Sequence, residues 1–184
     1  MSQKRQIMNG AEIEHTLSGL ANKIVERNRG AKDLAMIGIK RRGISLAQRL
    51  AKEIERIEQR KIPLGALDIT LYRDDLQLVA DKPIVRGSEI DFDLNGKVII
   101  LVDDVLFTGR TIRAALTELL DYGRPQSIQL AVLIDRGHRE LPVCADYCGK
   151  AIATERDDIV DILVKEEDGE DSVWVHPMRA HNES

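Results

Sequence analysis

The chain has 184 residues, enough for one domain with a sizeable core and no need of disulfides or metals to hold it. Hydrophobic residues make up 43%, which argues against disorder, and a formal net charge of −4 gives no whole-protein attraction to nucleic acid. Six aromatics argue against a binder that stacks single-stranded bases, and Cys144 and Cys148 lack a further Cys or His pair at zinc spacing.

Those two cysteines read as reduced thiols, and no apolar run is long enough for a secretion signal or a membrane span; a cytoplasmic protein is expected. From the start of the chain, Asn9 and Glu12 form a capping-box pattern. Ile13, Leu17, Leu20, Ala21, Ile24 and Val25 follow at helical spacing and predict a helix ending near residues 28–30. The apolar run 34–39 predicts a buried strand that stops at Lys40-Arg41-Arg42-Gly43. Ile44, Ala47, Leu50, Ala51, Ile54 and Ile57 then mark a second helix, and residues 67–72 alternate enough for a strand. A polar stretch, 73–96, is too long for a turn and suggests a functional loop, part of it a hairpin arm.

Residues 98–102 form a continuous apolar strand that breaks into Asp103-Asp104. Ile112, Ala115, Leu116, Leu119 and Leu120 predict a third helix, with Gly123 placed for a left-handed cap. Residues 127–134 predict another strand, ending at Asp135-Arg136-Gly137-His138-Arg139, and shorter strands fit 160–164 and 173–175. No repeat or linker divides residues 1–184, so a single domain is expected. Alternating strands and helices imply an α/β fold, a mostly parallel sheet flanked by helices. In such sheets ligands gather beyond the C-terminal strand ends, and polar clusters follow three of the predicted strands there.

Two adjacent acids leaving a buried strand are poor core residues, because an unpaired ionised group is costly to bury. They suit ribose hydroxyls, or Mg²⁺ held through its waters. The chain then runs through Val105, Leu106, Phe107, Thr108, Gly109, Arg110 and Thr111 into a helix start, where free N–H groups and the helix dipole favour a phosphate.

The string from Ile99 to Thr111 carries four apolar residues, two acids, two apolar residues and a Thr-Gly-x-Thr turn. It resembles the signature of the type I phosphoribosyltransferases at every position. That resemblance implies a parallel sheet with a small hood and a flexible loop or arm. It also implies phosphoribosyl pyrophosphate (PRPP) as co-substrate, Asp103 and Asp104 on the ribose hydroxyls, and 105–111 around the 5-phosphate. No protein ligand to a metal is implied; Mg²⁺ would arrive on PRPP, with waters reaching Asp103 and Asp104. Lys40, Arg41 and Arg42 sit where the family places its pyrophosphate turn, Arg41 replacing a more usual Thr. Arg73 is the candidate to contact pyrophosphate once the loop closes, with Arg86 a further one on the same arm.

The resemblance extends over nearly the whole chain to the family's branch of pyrimidine-operon attenuation regulators. It is carried by residues 68–76, the signature loop, 123–132 and the run 135–142 with Ala145-Asp146-Tyr147 and Gly149-Lys150. It implies a bifunctional protein: a uracil phosphoribosyltransferase making UMP, and a UMP-responsive RNA-binding regulator of transcription attenuation. Arg136 and hood backbone at Val160 would hold uracil, while His138 and Arg139 would face pyrimidine-operon leader RNA. A homodimer or homotetramer is implied too. The alternatives are a transferase for another base without an RNA role, or a regulator with vestigial catalysis. A dinucleotide-binding protein is disfavoured by the missing Gly-x-Gly-x-x-Gly turn.

Overall fold

The computed structural model describes residues 4–70 and 87–178. In chain order the elements are β1 (Arg5–Asn9), α1 (Gly10–Asn28), β2 (Leu34–Ile39), α2 (Arg42–Glu58), β3 (Leu64–Leu67), β4 (Val98–Leu106), α3 (Arg110–Leu119), β5 (Ser127–Asp135), β6 (Tyr147–Ala151), β7 (Asp158–Leu163), α4 (Lys165–Asp168) and β8 (Ser172–Pro177). Five strands form a parallel sheet in the order β3-β2-β4-β5-β6. The other three, β1-β8-β7, form an antiparallel hood.

Both faces of the main sheet are covered, which is why its central strands are apolar without alternation. On one face Ile100 and Val102 of β4 meet Ile13, Leu17 and Ile24 of α1 and Leu46, Leu50 and Ile54 of α2. Hood residues Met8, Ile162, Val164 and Val173 join the same core. On the other face Ile99 and Leu101 pack with Ile112, Ala115 and Leu119 of α3.

Local chemistry explains the element ends. The capping box at Asn9 is present in both directions: Asn9 Oδ1 accepts the Glu12 N–H at 2.9 Å, and Glu12 Oε2 accepts the Asn9 N–H at 2.8 Å. Two glycines bring the start of α2 against the sheet. A Cβ on Gly38 would lie 2.5 Å from the Gly43 carbonyl oxygen, and one on Gly43 would lie 2.6 Å from that of Val102. The basic turn between them is therefore pressed onto the C-terminal edge of β2 and β4.

Several sequence expectations need correction. The strand expected over 67–72 is Leu64–Leu67, paired with β2, and the chain turns at Asp68, whose Oδ1 accepts the Thr70 N–H at 3.0 Å. β4 does not break at Asp103 but continues to Leu106. α3 closes through the right-handed Leu120, not by a cap at Gly123. β1 and β6 were not foreseen. Of the stretch 73–96, residues 73–86, where a hairpin arm was expected in part, lie outside the described residues. The chain returning from it bridges β3, with Ala66 and Glu89 exchanging N–H to carbonyl bonds at 2.9 and 2.8 Å.

Candidate active site

A cavity of about 660 Å³ opens at the C-terminal edge of the parallel sheet. Ile39 and Lys40 at the end of β2, Ile69 and Thr70 after β3, and the continuous run 103–112 line it. Convergence of three strand ends on one space is what the parallel topology dictates.

Asp103 and Asp104 belong to β4, and pairing with β5 continues to Leu106 opposite Asp135. Strand alternation puts Asp104 on the side of Ile100 and Val102, the α2 side. Asp103 is buried at 7% exposure, contrary to the expectation that neither acid would sit inside. Burial, reinforced by the charge of Asp104, pushes its pKa well above the usual carboxylate range. It can thus be buried because it can hold a proton. Burial also raises Asp104, opposed by hydrogen bonds from Asp103 and the Val105 N–H and by the charge of Arg42. A cation or a set of hydroxyl donors would relieve this pair, so both ribose and Mg²⁺ fit the donor set. Two carboxylates fall short of an octahedral Mg²⁺ shell, so most of its ligands would come from substrate and water.

Beyond the acids the chain curls at Gly109, which sits at φ 92°. Any side chain there would be strained, and a Cβ would press on Val143 at 3.3 Å. The N-cap residue Gly109 has no side chain to cap α3, and Thr108 Oγ1 accepts the Arg110 N–H at 3.3 Å; a helix start of this kind favours an anion. Residues 105–111 line the cavity as a loop and helix start of that kind.

The basic turn divides its three cations. Lys40 lines the cavity, donates from Nζ to the Gly87 carbonyl and lies 3.9 Å from Asp68. Arg41 is the exposed N-terminal boundary residue of α2. Arg42 is not among the cavity-lining residues; it is paired in bidentate fashion with Asp168, at 3.0 and 2.9 Å. Arg73 and Arg86 lie outside the described residues.

Behind the cavity-lining Phe107, Arg136 is buried, with its guanidinium over the Phe107 ring. Its Nη2 donates to the carbonyls of Glu155 and Arg156 at 3.1 and 3.3 Å, and its Nε has no partner. Burial lowers its pKa, against the charge of Asp158. Val160 lies in β7 opposite Val175, half-buried. His138 and Arg139, expected on an RNA-facing surface, are turned inward. His138 Nε2 sits 2.7 Å from the Thr154 carbonyl oxygen. Arg139 donates to the carbonyls of Val143 and Phe107 at 2.9 and 2.6 Å and to Asp135 at 2.6 Å. That guanidinium fastens residues 135–143 to the turn at Phe107. The sequence reading missed Thr70 as a lining residue, having placed it inside a strand, and missed Asp168, whose partner is 126 residues away.

A phosphoribosyl transferase domain model matches residues 3–167. A relative from Caldicellulosiruptor bescii named bifunctional protein PyrR is 52% identical over 178 residues, covering 97% of this chain and 98% of the relative. One of the same name from Deinococcus radiodurans is 54% identical over 170 residues, covering 92% and 93%. Among solved structures, a hypoxanthine-guanine phosphoribosyltransferase from Bacillus anthracis superposes with TM-score 0.69 at 17% identity, covering 97% of this chain and 99% of that one. At that identity the superposition speaks for the fold alone.

Proposed function

The chain belongs to the phosphoribosyltransferase family and, within it, to the PyrR proteins, and on that premise we propose that it converts uracil and PRPP to UMP and pyrophosphate. One observation carries the reading: the paired acids and the phosphate-cradling turn are consecutive and line one cavity at the sheet edge. A ribose 5-phosphate presents a diol and a phosphate, the two groups that such acids and such a turn bind.

In this reading residues 1–184 act as one transferase domain. Asp103 and Asp104 hold the ribose hydroxyls, and Val105, Leu106, Phe107, Thr108, Gly109, Arg110 and Thr111 surround the 5-phosphate. Lys40 and Arg41, with backbone N–H groups at the start of α2, receive the pyrophosphate. Arg73 and Arg86 join them from the arm. Uracil lies between the Arg136–Phe107 wall and hood backbone at Val160. A bond forms from uracil N1 to the anomeric carbon as the carbon–oxygen bond to pyrophosphate breaks, and the N1 proton passes to the leaving group or water. Mg²⁺ bound with PRPP supplies charge neutralisation at the pyrophosphate. The chain's own residues orient the diol, screen the leaving group and exclude water, since hydrolysis is the competing path. Incubation with PRPP, Mg²⁺ and uracil should yield UMP and pyrophosphate. Turnover with hypoxanthine or orotate instead would move the assignment elsewhere in the family.

The second function, UMP-responsive binding of pyrimidine-operon leader RNA, agrees with the word bifunctional in the relatives' name. Because Arg139 is engaged internally, the RNA contact falls to other basic residues, arranged across a homodimer or homotetramer. UMP should tighten leader-hairpin binding, and added salt should weaken it steeply. Equal affinity for unrelated RNA with no effect of UMP would remove this function. No described helix is long and apolar enough to cross a membrane, which supports a cytoplasmic site of action.

A further inference from the structure

Residues 165–171 carry five acids in seven positions, and three of these acids engage two arginines of α2. Arg49 forms forked pairs with both Glu166 and Asp171. Arg42 forms one with Asp168. The same carboxylates shape the segment that bears them: Asp168 accepts the Val164 N–H at 2.8 Å, and Asp171 accepts the Lys165 N–H at 2.7 Å. Arg49 and Asp171 keep 18% and 13% side-chain exposure, so solvent screens that pair less than a surface one, while the Arg42–Asp168 pair is more open, with the Arg42 side chain 40% exposed.

The placement of Arg42 gives these pairs a consequence for the reaction. It opens α2 directly after Lys40 and Arg41, and Gly43 beside it is pressed on the Val102 carbonyl, so its backbone is fixed to the sheet edge. Asp168 follows β7, the hood strand that carries Val160. A rigid link thus runs from the pyrophosphate turn through Arg42 and Asp168 to the base side of the cavity. Both arms of the fork are occupied, and Arg42 is absent from the cavity lining.

We propose that Arg42 and Asp168 are positioning residues: their pair, supported by Arg49, fixes the hood against the pyrophosphate turn and stays closed while substrate is bound. The proposal rests on the uracil phosphoribosyltransferase reading for its kinetic consequence. Displacement at the anomeric carbon needs the base nitrogen in line with the departing oxygen, and small misplacements are costly there. The pair therefore acts on the uracil side, although Arg42 belongs to the turn expected to bind pyrophosphate.

The test compares R42Q, D168N, their double variant and D168E with the wild-type chain, in steady-state kinetics for each substrate and in amide exchange over residues 164–172. R42Q and D168N should each raise the uracil KM on the order of tenfold, with a smaller change in the PRPP KM. The double variant should be no worse than the worse single one, because both remove the same link. D168E should recover most of the loss. If Arg42 instead binds pyrophosphate itself, D168N releases it and lowers the PRPP KM while R42Q raises it; that opposite response overturns the proposal. Absence of uracil turnover by the wild-type chain would remove the functional reading, and amide exchange would then decide the link. Faster exchange over 164–172 in both single variants retains it, and unchanged exchange removes it.

Discussion

The guanidinium carbon of Arg136 lies 4.0 Å from the centroid of the Phe107 ring, so the residue that follows β5 is stacked on the turn that follows β4. Around this pair the segment 136–140 grips the start of the hood. Thr154 Oγ1 donates to the Arg136 carbonyl at 3.1 Å, and Arg156 pairs with Glu140, which also pairs with Arg110 at 2.7 Å. The turn after β4 and the end of β5 are therefore held together through this one stack.

Replacing Arg136 by Met keeps most of the stem but removes two charged hydrogen bonds to hood carbonyls and the cation–π contact. Stability in urea should fall by about 3 kcal/mol, and the uracil KM should rise. Phe107→Leu keeps apolar contact and loses only the ring face, so about 1 kcal/mol is expected. If the two variants cost the same, the hydrogen bonds to Glu155 and Arg156 contribute nothing and the wall is held by stacking alone.

Asp103→Asn should stabilise the substrate-free protein while damaging activity. The folded-state pKa of Asp103 is raised above its ordinary value, so the folded chain binds more protons than the unfolded one between the two. Stability then falls as pH rises through that window and stays lower above it. Asn removes the ionisation and keeps an acceptor for the Asp104 N–H, now bonded to Asp103 Oδ1 at 2.9 Å. The variant's melting temperature should exceed wild type at pH 8, by roughly 2–4 °C for each kcal/mol recovered, and the difference should vanish near pH 4. A lower melting temperature at pH 8 would show that Asp103 is ionised with a favourable partner.

Gly43→Ala and Gly19→Ala should have opposite effects. At Gly43 the new methyl meets backbone at 2.6 Å, the Val102 carbonyl oxygen, which cannot move without shifting β4. A loss of roughly 1–3 kcal/mol is expected, with a raised PRPP KM because the basic turn shifts as well. Gly19 lies inside α1 with nothing within 4 Å of its added Cβ, so alanine should stabilise by about 0.5–1 kcal/mol. Thermal unfolding of both variants checks the contrast.

These contrasts indicate which parts of the molecule the residues announce locally. The cavity-lining run 103–111 was legible because its acids, its glycine and its threonines stand close together in the chain, and α1 because Asn9 and Glu12 cap it within one turn. β6 was not, because Tyr147-Cys148-Gly149-Lys150-Ala151 has little strand propensity. It is placed by pairing with β5 and by the bond from Tyr147 Oη to Gln129 at 2.6 Å. β1 is a short, largely polar edge whose register exists only against β8. The pairing of the acids at 165–171 was not legible because their arginine partners stand more than a hundred residues earlier. Asp103 and Asp104 were legible as site residues but not as strand residues, since the pairing that extends β4 comes from β5.

Acid should loosen the hood before the main sheet. Hydrogen bonding to Arg42 holds the Asp168 pKa below its ordinary value, and hydrogen bonding to Arg49 does the same for Glu166. Asp171 is lowered too: burial, the largest single effect, raises it, but the hydrogen bonds from Arg49 and the Lys165 N–H and the charges of Arg49 and Lys165 together outweigh it. A carboxylate depressed in the folded state stabilises it above the unfolded pKa, and that contribution disappears as pH falls through the folded value. The link between hood and α2 should therefore weaken below about pH 4, while protonation of Asp103 favours the folded sheet in that direction. The chain contains a single tryptophan, Trp174, and it lies in β8 of the hood with Lys4 5.1 Å from its ring centroid. Its fluorescence reports the hood, while far-UV dichroism is dominated by α1, α2 and α3. On acid titration the fluorescence transition should come at higher pH than the loss of helical signal, and Asp168→Asn should widen the gap by moving the first transition upward. Coincident transitions in the wild-type chain would mean that hood and sheet unfold as one unit and that the arginine pairs do not set the acid limit.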